Sequence, residues 1–165
     1  MRLLTVLVLL SFASLPAVAE ETAEEVVTKL YSLVTFEAGT TPDWDEVRSL
    51  FDNAAVVVLR TGPDEMTVFS LEGFVNDFIT FIEQDNVEKT GFSEKIIEMK
   101  SMVYGDIAHV LVLFESSIPN SSRPPREGID SFELIKKDSR WRIVSVTNER
   151  PTRENPIPRS LFKGR

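Results

Sequence analysis

Between Ile129 and Thr147 the chain reads as two strands joined by a tight polar turn, and no other stretch limits the fold so sharply. Apolar and polar residues alternate from Ile129 to Lys136 and again from Trp141 to Thr147, the period of half-buried antiparallel strands. With Asp138 and Ser139 as the two loop residues, Lys136 pairs with Trp141, Leu134 with Ile143 and Phe132 with Ser145. Phe132, Leu134, Trp141 and Ile143 then share one face. A face that apolar needs a second layer over it.

Residues 1–19 read as a leader outside the fold. Arg2 is its positive start, Leu3 to Ala13 its apolar centre, and Ala17-Val18-Ala19 its small-residue cleavage site. The apolar run falls short of the about 20 residues a membrane span needs, so the expectation is an exported domain beginning at Glu20. The 165 residues carry 18 basic against 26 acidic side chains, a net charge of −8. That balance argues against a nucleic-acid partner. Without cysteine there is neither a disulfide nor a thiolate metal site, and a single histidine without HExxH spacing leaves little for zinc. No cofactor motif is present.

Thr22-Ala23-Glu24-Glu25 is a capping box opening a first helix with Val26, Val27, Leu30, Tyr31 and Val34 at helical spacing, closed by Gly39. Thr41-Pro42-Asp43 starts a short second helix, with Thr41 as cap, carrying Trp44, Val47, Leu50 and Phe51. Ala54 to Arg60 is a valine-rich strand expected to be covered on both faces. After a turn at Thr61-Gly62-Pro63-Asp64, Ser70 caps a third helix bearing Phe74, Val75, Phe78, Ile79, Phe81 and Ile82. From Phe92 onward only strands remain: Glu94 to Tyr104, Ile107 to Ser116, and the hairpin above. Ser117 to Gly128 is a polar loop that holds Arg123 and Arg126 and the sequon Asn120-Ser121-Ser122, and 151–165 is a proline-broken basic tail.

Three helices, one strand before the third, and a four-strand antiparallel meander make an α+β plan: a curved antiparallel sheet wrapped by N-terminal helices. The order resembles the nuclear transport factor 2-like superfamily and its SnoaL-like branch. The residues that carry the resemblance are Tyr104-Gly105-Asp106-Ile107-Ala108-His109-Val110, Gly128-Ile129-Asp130-Ser131-Phe132-Glu133-Leu134 with Arg140-Trp141-Arg142-Ile143-Val144, and Pro156-Ile157-Pro158. It covers essentially the whole mature chain, with 20–150 as the domain proper, and implies a cone with a small-molecule pocket at its open end. It also implies pairing of two copies through the outer side of the sheet. Such folds serve enzymes and non-catalytic binding modules alike. Ketosteroid isomerase-like members carry a carboxylate base at the end of the first strand. Val56-Val57-Val58-Leu59 stands there in this chain, and valine cannot abstract a proton.

Two readings therefore stand: a non-catalytic module binding a small apolar or weakly acidic ligand, or a lyase, isomerase or hydrolase acting on a hydrophobic metabolite. A protein-binding accessory is a third. The candidate site residues are Tyr31, Trp44, Phe74, Phe78, Ser101, Asp130 and Ser145, with Asp130 and Tyr31 as the polar contacts. For any single aromatic, plain core packing is the simpler role. His109 hangs on hairpin parity: a two-residue turn at Gly105-Asp106, which that pair favours, puts it on the outer face with Ile107, Leu111 and Leu113, and a three-residue turn reverses this. That outer face is apolar enough to suggest a homodimer.

Overall fold

In the computed structural model, residues 20–162 are described; the leader read at 1–19 lies outside the described residues. Helix α1 (Ala23–Val34) starts at Thr22 with the capping box complete: Glu25 N donates to Thr22 Oγ1, and Thr22 N to Glu25 Oε2. It buries Val26, Val27, Leu30, Tyr31 and Val34. The helix ends at Thr35 rather than at Gly39, because Phe36 leaves to pair with Phe92 in an isolated bridge. Helix α2 (Trp44–Ser49) is capped by Asp43, not Thr41; the carboxylate reaches two backbone amides, Asp45 N at 3.1 Å and Glu46 N at 3.0 Å. Ser70 caps α3 (Leu71–Gln84) through Gly73 N, as its position suggests.

Six strands form one open sheet in the order β2-β1-β6-β5-β4-β3. They are β1 (Phe51–Gly62), β2 (Glu65–Ser70), β3 (Ser93–Tyr104), β4 (Ile107–Ser117), β5 (Arg126–Lys137) and β6 (Arg140–Glu149). The meander β3 to β6 is antiparallel throughout, and the sheet as a whole is mixed because β6 arrives beside β1 running the same way. The sequence reading missed β2, whose six residues hide between turn residues and a helix cap. It pairs antiparallel with β1 and makes the sheet's far edge. Coverage of β1 is one-sided: Val57 is buried while Val56, on the outer side, is 39% exposed.

The main core lies between the inner face of the sheet and the helices. Phe132, Leu134, Trp141 and Ile143 are all buried there, with Ala108, Val110, Val112 and Phe114 from β4 and the apolar stripe of α1. A satellite cluster of Phe36, Ile82, Val87 and Phe92 closes the far end of α3.

Two β-bulges change which residues look inward. Leu134 pairs with Ile143, yet Glu133 pairs with Ser145, so Val144 is an extra residue on β6. From there Val146 and Asn148 face the core, and Phe132 sits opposite Val146 instead of Ser145. On β3, Ile96 pairs with Phe114 and Glu98 with Leu113, so Ile97 is extra and Glu94 turns inward while Lys95 turns out. One inserted residue inverts every side chain beyond it.

On the outer face the two-residue turn holds: Met102 pairs with His109, and His109 Nδ1 lies 2.7 Å from Glu133 Oε1. The tail returns across this face. Arg159 grips both carboxylate oxygens of Glu127 at 2.7 Å, and Lys100 Nζ donates to the Leu161 carbonyl at 3.3 Å. Leu113, between those strands, is fully buried within one chain, so the tail covers part of the patch that the sequence reading assigned to a partner.

Gly128 gives the meander its close approach: a Cβ there would stand 2.5 Å from Phe114 Cζ, and Phe114 is itself buried. Gly128→Ala therefore forces that ring aside and is expected to destabilise the fold by roughly 1–3 kcal/mol, read as a lower urea midpoint with an unchanged slope.

Candidate functional site

The concave side of the sheet is not completely filled. A cavity of about 540 Å³ opens between α1, α3 and strands β1 and β3 to β6, within the size range of small-molecule sites. Its middle is aromatic. Phe51, Phe74, Phe78, Phe81, Phe92, Phe114 and Phe132 all contribute to its walls. Phe78 is the hub, meeting Phe74, Phe81 and Phe92 edge-on with centroids 5.6 to 6.0 Å apart.

Its polar end is built from four side chains on four elements. Asp130, on β5, accepts from Tyr31 Oη at 2.5 Å through one oxygen and from Asn148 Nδ2 at 2.7 Å through the other. Tyr31 comes from the buried stripe of α1, where its ring also tilts against Phe114 and Phe132 at 6.0 and 6.3 Å. Asn148 is the one buried polar residue among those described. Glu94 completes the group from β3, its main chain clamped at both N–H and carbonyl by the Thr35 hydroxyl, 2.9 Å each.

Burial pushes the Asp130 carboxyl up to about 6, against the hydrogen bonds from Tyr31 and Asn148 and the charge of Arg150, which hold it down. Glu94 rises further, to about 8, because burial is joined by the neighbouring charge of Asp130. The Tyr31 phenol is pushed well above its ordinary value by burial first and Asp130 second, so it stays protonated and donates. Near neutral pH the arrangement is thus an ionised Asp130 held by two donors beside a protonated Glu94. Two carboxyls with separated pKa values can accept and deliver a proton, and the same pair can bind a ligand's donor and acceptor.

Of the seven residues expected to form the site, Tyr31, Phe74, Phe78 and Asp130 line the cavity. Trp44 does not; it stacks edge-on behind Phe78 at 5.5 Å. Ser101 is on the inner face but nearer the closed end, where its hydroxyl donates to Glu24. Ser145 faces out, opposite Glu133, because of the bulge at Val144. Sequence reasoning missed Glu94, Asn148 and Arg150, all of which line the cavity. Strict alternation places Glu94 and Asn148 outside, and nothing in their neighbours announces the extra residue. Among the described residues no group of three or more His, Asp or Glu is placed to hold a metal ion. No helix among them is long and apolar enough to cross a membrane.

No family model and no curated protein matches the chain. Solved structures do match its fold. An NTF2-like protein of Pseudomonas putida KT2440 superposes with a TM-score of 0.61 at 7% identity, over 86% of this chain and 89% of that one. A candidate scytalone dehydratase of Novosphingobium aromaticivorans gives 0.59 at 13% identity, over 78% and 81%. The association domain of C. elegans CaMKII gives 0.59 at 17% identity, over 76% and 91%. The architecture is therefore the nuclear transport factor 2-like, or cystatin-like, α+β cone.

The raised carboxyls set a pH dependence of stability. Between the ordinary carboxyl value and about 8, folded Glu94 holds a proton that the unfolded chain has released, and Asp130 does the same up to about 6. Stability then falls as pH rises through that window. The melting temperature should drop by several degrees between about pH 5 and about pH 8. Glu94→Gln should flatten the drop and raise the melting temperature at the upper pH, with little effect at the lower.

Proposed function

We propose that this chain is a small-molecule-binding domain that takes an apolar ligand into the aromatic cavity and orients it by the Asp130–Tyr31–Asn148 group. The carrying observation is the hydrogen-bonded carboxylate set beside the phenylalanine walls of a cavity of about 540 Å³. A core that served packing alone would be cheaper without a desolvated charge there. The N-terminal apolar run and its small-residue site support export, with Glu20 as the first residue of the mature chain.

Saturable, one-to-one enhancement of a neutral naphthylamine dye checks the binding reading. Val146→Trp places a large ring where Val146 lines the cavity, and is expected to abolish the dye signal while far-ultraviolet dichroism is unchanged. Persistent dye binding in that variant would put the site elsewhere.

A second reading is a proton-transfer enzyme with Asp130 as base and Tyr31 as its hydrogen-bond donor; the neighbouring protonated Glu94, whose pKa is separated from that of Asp130, supports it. It draws no support from β1, which contributes Phe51, Val57, Leu59, Arg60 and Thr61 to the cavity and no carboxylate. Native mass spectrometry of protein from its own compartment is expected to show a retained small molecule. Turnover of that molecule, reduced at least ~100-fold by Asp130→Asn, would establish the enzyme; equal rates in Asp130→Asn and Tyr31→Phe would dismiss it.

Pairing of two chains is supported by Met102, Tyr104 and Ile107, exposed at 63%, 85% and 59% on the outer side of the β3–β4 turn. Light scattering at micromolar concentration is expected to return twice the chain mass, and Tyr104→Lys with Ile107→Lys to return one chain mass.

A further inference from the structure

We propose that the ligand is an amphipathic monocarboxylate, its hydrocarbon body lying on the phenylalanines and its anionic head held at the mouth by Arg126 and Arg150, with Arg123 on the adjoining loop. The inference rests on the cavity being a ligand site and adds the chemical class. Register places the head group. Arg126 lies on the same face of β5 as Asp130, four residues or roughly 13 Å nearer the mouth. Arg150 follows Asn148 by two residues beyond the end of β6, and both arginines line the cavity together with Arg123. Ser116 is paired with Arg126 across the sheet, so a hydroxyl stands in the same row.

The arginines at the mouth differ from those that tie the fold together. Arg48 grips Glu72, Arg60 grips Glu149 and Arg159 grips Glu127, each through two hydrogen bonds. The guanidinium groups of Arg123, Arg126 and Arg150 have no carboxylate partner among the described residues. Glu149, next to Arg150 in sequence, is taken by Arg60, a fourth arginine that borders the cavity and is already neutralised by this pair. In a chain of net charge −8, three guanidinium groups without a carboxylate in hydrogen-bond contact gather on one side of the cavity mouth. A guanidinium binds a carboxylate through two parallel hydrogen bonds.

The acids that face the same space decide how much negative charge it accepts. Glu94 stands across β4 from Arg126, through the Glu94–Ser116–Arg126 row, and burial keeps it protonated near neutral pH. Asp130 lies deeper, engaged by Tyr31 and Asn148. Asp77 on α3 and Asp85 at its C-cap, both exposed, form the opposite wall of the mouth. A second negative charge on the ligand would meet those acids, so the head carries one. Asp77 and Asp85 also make a cationic head the competing reading, which the measurement separates.

Displacement of the neutral dye from the full chain by octanoate, octanol and octylamine at low salt is the test. Octanoate is expected to displace it at roughly ten-fold lower concentration than octanol, the worth of one charge-assisted hydrogen-bond pair. Octylamine is expected to trail octanol. Arg126→Gln with Arg150→Gln should bring octanoate to the octanol level and leave octanol unchanged, which also shows that the variant is folded. Equal displacement by octanoate and octanol, a preference for octylamine, or an octanoate preference that survives both substitutions overturns the proposal while leaving the cavity reading intact. Failure of the dye and of all three compounds to bind removes the cavity reading, and the proposal with it.

Discussion

A sheet that curls around a helix cannot keep a strict two-residue repeat along every strand, and in this chain the repeat breaks where the site is built. Extra residues at Ile97 on β3 and Val144 on β6 bend their strands and invert the side chains that follow. β5 runs between them in sheet order, separated from β3 by β4, and keeps its alternation from Arg126 to Glu133. Asp130 is therefore fixed inward by simple periodicity, while Glu94 and Asn148 are brought inward from either side by the bulges. The polar end of the cavity depends on all three conditions at once.

Charge in that position needs compensation, and the two carboxyls find it differently. Asp130 has a donor for each oxygen, one from α1 and one from β6, so its hydrogen bonds also tie the helix to the centre of the sheet. Removing either donor would leave a desolvated oxygen unpaired, which costs more than the bond itself contributes. Glu94 has its backbone fixed by Thr35 and is relieved by protonation instead. The pair is thus asymmetric: one group is an acceptor held rigidly, the other a neutral acid with freedom to donate.

Much of this architecture was legible in the residues. Caps at Thr22 and Ser70, the valine strand, the two hairpins and the outward side of His109 all follow from local chemistry and period. The hairpin from Ile129 to Thr147 put Phe132, Leu134, Trp141 and Ile143 on one buried face, correctly, and Asp130 with them. What escaped was anything decided beyond a few residues. A bulge has no signature in Val144 or Ile97, both ordinary strand formers, so strict alternation puts Ser145 inside and Asn148 outside, the reverse of their places in the sheet. The parallel contact of β1 with β6 and the tail's cover over Leu113 are long-range facts of the same kind. Asp43 won the cap of α2 from Thr41 because a carboxylate reaches two amides at once.

The order of surfaces along the cavity carries the last step. From closed end to mouth, the inner face of β5 presents Leu134, Phe132, Asp130, Gly128 and Arg126. At Gly128 the missing side chain is replaced by the ring of Phe114 from the next strand, so the sequence of environments is apolar, acidic, aromatic, basic. A ligand that followed this gradient would enter in one orientation only: a hydrogen-bonding group at its inner end would meet Asp130, an apolar body the phenylalanines, and its charge would remain at the wet rim. Orientation here comes from where polar groups stand on a rigid sheet, and a rigid sheet sets such distances more closely than the loop from 118 to 125 that borders the mouth.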